Sequence, residues 1–312
     1  MGVKTDIVRK AFTGRLLELA RENPRILAVA TDSRGSVTLT DFAEQLPKQF
    51  VECGIAEQDA VGIGAGLSNG GFVPFVCGPA CFFSMRSAEQ VKVDVAYSHT
   101  NVKIIGVSGG VSYGALGTTH HSTQDIALMR ATPTIEIFLP ADGTQMVALT
   151  DYLAESAEPA YVRMGRGGVP AVYSSPAEAF TYGRANRLTE GGDLALIACG
   201  EMVYHALEAE RVLRSRGVHA SVYDMHTLRP LDEDAILQAA DTGLVLTVEE
   251  HCVHGGLGGA VAEVLSQRKP VRMRILGLPD VPLYNGTSEQ VMAHYGLTGE
   301  GIAGVALEAL KG

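Results

Sequence analysis

Hydrophobic and polar positions along the chain form two kinds of pattern that alternate, one typical of helices and one typical of strands. In residues 6–20 the apolar side chains recur at helical spacing, and the pattern ends at Asn23-Pro24. The next residues, RILAVAT (25–31), are typical of a buried strand. Further strand patterns lie near 72–77, 102–108, 134–139 and 160–164, and helical patterns lie near 57–69, 86–98, 124–130 and 142–155. Strands separated by helices predict a parallel sheet with helices on both faces.

A second pattern of the same kind follows a break. The segment GRGGVPAVYSSP (165–176) is rich in Gly, Pro and Ser, which is typical of a linker. Strand patterns then recur in DLALIACG, HASVYDM, GLVLTVEE and VRMRILGL, with helical patterns near 202–215, 232–239 and 258–267. The sequence therefore predicts an α/β protein with two consecutive parallel-sheet domains, residues 1–172 and residues 173–312.

Composition and charge exclude several classes of protein. No apolar run is long enough to cross a bilayer, and MGVKTDIVRKAF lacks the apolar core of a signal peptide. A net charge of −10 argues against nucleic acid as a partner. The five cysteines are odd in number and have no CxxC spacing, which disfavours a disulfide framework or a zinc ribbon. We expect a cytoplasmic protein with neither nucleic-acid nor membrane partners.

Two stretches of the first predicted domain carry candidate chemistry. FVECGIAEQDAVGIGAG (50–66) places Glu57 at the head of an apolar segment, where an unpaired carboxylate is costly. The loop GGVSYGALGTTHHSTQD (109–125) follows a strand end, where ligands gather in open α/β sheets. Its adjacent His120 and His121 are suited to proton transfer, to substrate contact or to structural hydrogen bonding. A metal site is disfavoured, because neighbouring histidine side chains rarely converge on one ion.

Other candidates give weaker signals. For His251 and His254 in VEEHCVHGGLGG, we favour a surface or subunit-contact position over a metal site. The glycines that follow lack the full G-x-G-x-x-G pattern, and the chain has neither a Walker loop nor a G-x-S-x-G elbow. Four arginines at predicted element ends are together suited to an anionic substrate: Arg9, Arg34, Arg86 and Arg163.

Several motifs, in order and in register, resemble those of the transketolase family of thiamine-diphosphate enzymes. They are GIAEQDAVGIGAGL, SAEQVKVDVAYSHTNVKIIGVSGGVSYG, GTTHHSTQDIALMR, IEIFLPADGTQM and EPAYVRMGRG. The resemblance covers essentially the whole chain, as a pyrimidine-binding domain followed by the transketolase C-terminal domain. It implies thiamine diphosphate as the cofactor.

The resemblance also implies catalytic and cofactor-binding residues. Glu57 would hydrogen-bond N1′ of the cofactor's aminopyrimidine, which lets the cofactor deprotonate its own thiazolium carbon for attack on a ketose carbonyl. His120 would contact the substrate and take part in proton transfer. Phe82, or alternatively Phe83, would supply an aromatic wall for the pyrimidine ring.

The substrate-binding positions depart from the family pattern. The residues of this chain that correspond to the family's substrate-binding positions are Arg9, Asp32, Ser36, Ser108, Leu116, His120 and Arg163. Ser108 replaces the usual histidine at the phosphate end, Leu116 replaces an acidic residue that accepts sugar hydroxyls, and Pro79 replaces an aromatic residue. Because such losses weaken discrimination among hydroxylated substrates, we expect an anionic sugar other than a standard pentose phosphate. A sulfonated sugar, a branched sugar or a natural-product intermediate fits equally well.

Half of the family's cofactor site is missing from the sequence. There is no G-D-G motif, which in the family works with a later Asn to bind Mg²⁺ or Ca²⁺ and the diphosphate. The resemblance therefore implies the C-terminal subunit of a split transketolase, without metal ligands of its own. An N-terminal subunit would carry the diphosphate and metal motif in an α2β2 assembly, and the pair would transfer a two-carbon ketol unit between an anionic ketose and an aldose.

Three alternatives remain beside this hypothesis. The beta subunit of a 2-oxoacid dehydrogenase decarboxylase component shares the architecture, but GTTHHSTQDIALMR favours a transketolase. An enzyme like deoxyxylulose-phosphate synthase is the second alternative, although that enzyme is normally one long chain. The third is a non-catalytic scaffold subunit, which the presence of both Glu57 and His120 disfavours.

Overall fold

Two mainly parallel sheets organise the chain in its computed structural model, which describes residues 5–311. The terminal residues of the two predicted domains, Met1 and Gly312, lie outside this range. The first elements are β1 (Thr5–Ile7), α1 (Val8–Glu22), β2 (Ile26–Ala30), α2 (Thr40–Gln45), β3 (Phe50–Glu52), α3 (Glu57–Asn69), β4 (Val73–Pro79), α4 (Ala80–Met85), α5 (Ala88–Gln90), β5 (Lys103–Val107), α6 (Asp125–Ala131), β6 (Glu136–Phe138), α7 (Gly143–Glu155), β7 (Ala160–Met164) and β8 (Gly168–Pro170). A π-helix, Val91–Tyr97, extends α5, and a 3₁₀ turn occupies Gly114–Leu116.

The second half of the chain repeats the alternation. Its elements are α8 (Pro176–Ala179), β9 (Asn186–Arg187), β10 (Leu194–Ala198), α9 (Met202–Ser215), β11 (Ala220–Asp224), β12 (Thr227–Arg229), α10 (Glu233–Ala239), β13 (Leu244–Cys252), α11 (Leu257–Arg268), β14 (Arg272–Leu278), α12 (Ser288–His294) and α13 (Gly299–Lys311), with a 3₁₀ turn at Ala240–Thr242. Among the residues described, no helix is long and apolar enough to cross a membrane.

The strand order confirms two parallel-sheet α/β domains. The first sheet has seven strands in the order β12-β6-β7-β5-β4-β2-β3, and its strands run parallel except for β12. The second has five strands in the order β14-β13-β10-β11-β9, with β9 antiparallel at one edge. The carboxyl ends of β2, β4, β5 and β7 therefore meet at one edge of the first sheet, where ligands of such folds bind.

One strand from the second half completes the first sheet. β12 pairs antiparallel with β6, so that Thr227 lies opposite Phe138. The Arg229 guanidinium reinforces this edge by donating to the carbonyl oxygens of Arg130 and Ile135. The two halves are thus interlocked through the sheet, and the domain boundary between residues 172 and 173 stays a prediction.

Candidate active site

The helix α3 fixes the position of Glu57 at the edge of the first sheet. α3 begins at Glu57 and buries Ala60, Val61 and Gly64 on its inner face. A Cβ atom at Gly64 would come within 2.7 Å of Val76 Cγ2 in β4, so only glycine lets the helix lie this close to the strand. This close packing holds the Glu57 carboxylate at the carboxyl end of the sheet, where the residue is only 5% exposed.

The buried carboxylate has a cationic and an aromatic neighbour. Arg86 Nη1 donates to both Glu57 Oε1 and Glu57 Oε2 at 3.2 Å. The Arg86 Cζ atom lies 3.8 Å from the centroid of the Phe82 ring. Both residues come from the end of α4 and the turn that follows it, since the Arg86 backbone N–H donates to the Phe82 carbonyl oxygen. One short segment thus supplies both neighbours of Glu57.

A cleft of about 440 Å³ opens beside Glu57. It is lined by Thr31, Asp32, Ser33, Ser36, Ile55, Glu57, Pro79, Phe82, Tyr113, Leu116, His120 and Arg166. The structure therefore brings together the predicted catalytic residues Glu57 and His120, the predicted aromatic wall Phe82, and three of the predicted substrate positions. Leu116 lies 54% exposed, which leaves an apolar side chain on the cleft wall.

His120 is held between two aromatic rings. The centroid of its imidazole lies 5.3 Å from that of Phe82 and 5.5 Å from that of Tyr113, both edge to face. Its Nδ1 atom is 2.9 Å from the Thr119 hydroxyl oxygen. Because Nδ1 has this partner, Nε2 is the nitrogen that can meet a substrate.

Two residues that follow strands of this sheet have left-handed backbone conformations. Asp32, after β2, has φ 52°, and Ser108, after β5, has φ 63°. The turn at Asp32 is secured by its backbone N–H, which donates to Glu52 Oε1 at 2.8 Å. Non-glycine residues hold such conformations at a cost, and they recur at functional sites, although Thr38, His99 and Thr134 of this chain also have positive φ. The strain therefore marks the same sheet edge as the cleft.

Four predicted site residues do not line the cleft: Arg9, Phe83, Ser108 and Arg163. Phe83 is fully buried, with its Cε2 atom 2.8 Å from where a Cβ of Gly78 would lie. Phe82 is thus the aromatic residue of the pair that faces the site. Ser108 is 1% exposed, and Arg163 is 6% exposed.

Arg163 lies at the contact between the two domains. Its Nε atom is 3.1 Å from Asp125 Oδ2, and its Nη2 donates to the Glu250 carbonyl oxygen at 2.6 Å. Burial opposes the charged form, but the carboxylates of Asp125 and Glu250 raise the pKa of Arg163 above its ordinary value. The guanidinium is engaged within the chain, and its assignment as a substrate ligand stays a prediction.

A different pair of arginines, Arg9 and Arg166, lines a neighbouring cavity of about 500 Å³, and of the two Arg166 also lines the cleft. Arg166, which the sequence analysis did not single out, has its Cζ atom 4.7 Å from the Tyr113 ring centroid. Arg9 donates through Nη1 to the carbonyl oxygen of Ser36, which also lines the cleft. Burial, and next the positive charge of Arg166, lower the pKa of Arg9. Two guanidinium groups that repel each other in this way are suited to an anion between them.

Of the other histidines that the sequence singled out, His121 and His251 are buried and His254 is exposed. The prediction of a surface position is wrong for His251, which is fully buried. Its Nδ1 atom is 2.7 Å from the Cys252 carbonyl oxygen, and its Nε2 atom accepts from the Ala127 N–H. Burial lowers the pKa of His251 and that of His121, whose Nε2 is 3.2 Å from the Gly114 carbonyl oxygen. His254 is exposed, as expected. Within residues 5–311, no group of three or more His, Cys, Asp or Glu side chains could hold a metal ion.

Comparison with known families decides the assignment. The pyrimidine binding domain of transketolase matches residues 7–171, and the transketolase C-terminal domain matches residues 183–302. The chain belongs to the transketolase family. This transketolase chain is 57% identical over 304 residues to the B subunit of the apulose-4-phosphate transketolase of Phocaeicola vulgatus, with 97% of each chain covered.

Other relatives agree with a split enzyme. The transketolase chain is 36% identical to the 6-deoxy-6-sulfo-D-fructose transketolase subunit SqwH of Clostridium sp. (strain MSTE9), covering 97% of this chain and 94% of that one. A solved structure described as a split gene transketolase, inactive beta4 tetramer, superposes with a TM-score of 0.88 at 38% identity and 99% coverage of both chains. A 1-deoxy-D-xylulose-5-phosphate synthase from Magnetococcus marinus is 33% identical, but this chain spans only 49% of it. The predicted subunit of a split, thiamine-dependent transketolase is confirmed.

The residues of the cleft fit one end of thiamine diphosphate. A buried carboxylate and an aromatic face, from Glu57 and Phe82, match a flat ring that carries a basic nitrogen. Within residues 5–311 there is no group of three or more His, Cys, Asp or Glu side chains that could hold a divalent cation for the other end. This chain therefore fits the pyrimidine end of the cofactor.

Proposed function

We propose that this chain supplies the pyrimidine end of the cofactor site in a two-subunit transketolase, which transfers a two-carbon ketol unit from an anionic ketose to an aldose. The observation that carries the proposal is the convergence of Glu57, Phe82 and His120 on one cleft with Arg166 at its wall. Thiamine diphosphate, when bound, supplies the carbanion chemistry. The side chains of this chain hold the ring, orient the sugar and move protons.

Glu57 and Phe82 have the cofactor-binding roles. The Glu57 carboxylate, which is 5% exposed, would share a proton with N1′ of the aminopyrimidine. Phe82 would lie against the face of the ring. The helix α3, fixed by its contact at Gly64, keeps the carboxylate from moving away from the ring.

His120 and the two arginines have the substrate roles. His120 Nε2 would hold or release a proton at a substrate oxygen, since Nδ1 is engaged by Thr119. Arg9 and Arg166 would bind the anionic group of the sugar, with Ser36 beside them. We assign the anion to Arg166 in preference to Arg163, because Arg166 lines the cleft and Arg163 is engaged by Asp125.

The substrate we favour is apulose 4-phosphate or a closely similar sugar phosphate. This is the substrate named for the Phocaeicola vulgatus relative, which is 57% identical over 97% of the chain. The exposed Leu116 side chain on the cleft wall is consistent with a sugar that presents fewer hydroxyl groups there. A sulfonated sugar, as named for the Clostridium relative, is the second candidate, since two guanidinium groups suit a sulfonate as well as a phosphate.

The diphosphate end of the cofactor would come from a separate N-terminal subunit. That subunit would bind the Mg²⁺ or Ca²⁺ ion, because residues 5–311 of this chain offer no cluster of ligands for it. We propose an α2β2 assembly in the cytoplasm. The related split-gene protein, described as an inactive beta4 tetramer, supports self-association of this type of chain.

The test is reconstitution from separately purified subunits. This chain is mixed at increasing ratios with an N-terminal subunit that carries G-D-G, in the presence of thiamine diphosphate and Mg²⁺. Ketol transfer from apulose 4-phosphate, a sulfonated ketose and a pentulose phosphate is then compared. We expect activity to saturate at one chain per partner and to be greatest with apulose 4-phosphate. Full activity of this chain alone would refute the proposal.

A further inference from the structure

The Arg86 guanidinium meets a carboxylate and an aromatic ring at the same time. It is 3.2 Å from both carboxylate oxygens of Glu57 and 3.8 Å, measured from Cζ, from the Phe82 ring centroid. These are the two groups that the proposed function assigns to the cofactor's ring. A flat, cationic nitrogen group of this chain therefore already makes the contacts that a flat nitrogen heterocycle would make.

We propose that Arg86 is a placeholder for the cofactor's pyrimidine ring. In the chain without cofactor, it neutralises Glu57 and covers Phe82. The ring must displace it in order to reach both groups. The inference rests on the proposed function, because it takes Glu57 and Phe82 as the partners of that ring.

The chain without cofactor needs such a partner for Glu57. The Glu57 side chain is 5% exposed, and a carboxylate at this depth is destabilising when it has no counter-charge. Its location at the start of α3 supplies some stabilisation from the helix dipole, but an adjacent guanidinium supplies a full charge and two hydrogen bonds. Arg86 thus allows the pocket to exist before the cofactor enters.

Arg86 is also able to leave. Its side chain is 49% exposed, and within the described part of the chain the hydrogen bonds of its guanidinium go to Glu57 alone. Swinging the guanidinium into solvent would therefore break no other hydrogen bond of the described residues. The neighbouring Met85 and Ile55 are 52% and 76% exposed, so this face of the chain is open to the movement. Half-exposed ion pairs are weak, which keeps displacement possible.

The first arm of the test uses thermal unfolding of the full chain alone. Arg86→Gln should lower the melting temperature by about 2 to 4 °C, because Glu57 loses its counter-charge. Glu57→Gln/Arg86→Gln should recover most of this loss, since no buried charge remains. Arg25→Gln, which removes the same charge from an exposed position, should leave the melting temperature unchanged. Failure of the double variant to recover stability would overturn the pairing.

The second arm measures binding rather than turnover. Calorimetric titration of thiamine diphosphate with Mg²⁺ into the reconstituted two-subunit complex should give a dissociation constant about 3- to 10-fold lower for Arg86→Gln than for wild type. Arg25→Gln should match wild type. Equal or weaker binding by Arg86→Gln would overturn the placeholder and leave the proposed function intact. Absence of binding by the wild-type complex would instead overturn the proposed function, and the placeholder with it.

Discussion

At the residue scale, the proposed anion-binding site depends on two guanidinium groups, Arg166 in the cleft wall and Arg9 in the neighbouring cavity. Arg166 lies against the Tyr113 ring, whose other contact is the imidazole of His120. Burial, together with the charge of Arg166, lowers the pKa of Arg9. An anion bound here would relieve the repulsion and would be linked through Tyr113 to His120, to which we assign proton transfer.

Replacing Arg166 tests this assignment. Arg166→Gln should raise the KM for a phosphorylated ketose by about 10- to 100-fold, the cost of losing a charged hydrogen bond. The kcat value should change much less, because the group binds the sugar away from the reacting carbons. Steady-state kinetics with phosphorylated and neutral ketoses provide the comparison. An equal loss with the neutral sugar would contradict an anion-binding role.

The types of residue in this site could be predicted from the sequence more accurately than the particular positions that supply them. Glu57 and His120 could be located because each lies in a motif with its own spacing, whereas Phe82 could not be separated from Phe83 by sequence. Arg163 and Arg166 share one motif. The predicted strand at 160–164 already contained Arg163, and the structure adds that its side chain is buried. The rule that ligands gather beyond strand ends would have favoured Arg166, which follows β7.

At the element scale, α3 sets the distance between Glu57 and the sheet. Of its glycines, Gly64 faces Val76 in β4, whereas no atom lies within 4 Å of where a Cβ atom of Gly66 would be. The two positions lie two residues apart in one helix. A methyl group added at Gly64 would clash with β4, and one added at Gly66 would meet no other atom. They therefore form a matched pair for testing the packing.

Alanine at these two glycines should have opposite effects. Gly64→Ala should destabilise the chain by about 1 to 3 kcal/mol through overpacking, and it should also reduce activity because the start of α3 moves. Gly66→Ala should stabilise it by up to about 1 kcal/mol through better helix propensity. Denaturant unfolding and the reconstituted assay report the two effects. Equal effects of the two substitutions would contradict the close helix–strand contact.

The elements with strong periodicity were predictable, and the short ones were not. β2, β4 and β10 are continuous apolar runs, which identify buried parallel strands without further information. β12 has three residues and pairs with a strand about ninety positions earlier, so no local pattern indicates its partner. The interlocking of the two halves was therefore visible only in three dimensions.

At the scale of the whole molecule, Asp224 ties the two halves together. It is fully buried at the end of β11 and accepts hydrogen bonds from Tyr173 in the connecting segment and from Gln145 in α7, at 2.5 and 2.7 Å. Burial raises its pKa from 3.8 to about 7, although both hydrogen bonds act in the opposite direction. The contact between the halves is thus sensitive to protonation.

This shift predicts the direction of a pH effect on stability. Between about pH 4 and 7, the folded chain retains the Asp224 proton while an unfolded aspartate has released it. The free energy of unfolding should therefore fall as pH rises through this window and level off above it. Asp224→Asn should remove this component. Urea unfolding at several pH values measures it, and an unchanged slope in the variant would contradict the assignment.

In the proposed function, the whole chain supplies half of a catalytic centre. We assign the pyrimidine end of the cofactor to its cleft, and residues 5–311 contain no group of three or more His, Cys, Asp or Glu side chains that could hold a metal ion. Two subunits that each hold one end would make activity depend on their association. Glu57 is the residue of this chain to which we assign the contact with the cofactor's ring.

The most direct measurement is ketol transfer by the reconstituted complex that carries Glu57→Gln. The substitution keeps the size of the side chain but removes the carboxylate that would share a proton with the cofactor, so turnover should fall by about 100-fold or more. Size-exclusion chromatography should show the same assembly as wild type. Turnover equal to that of wild type, in a complex that assembles normally, would contradict the account.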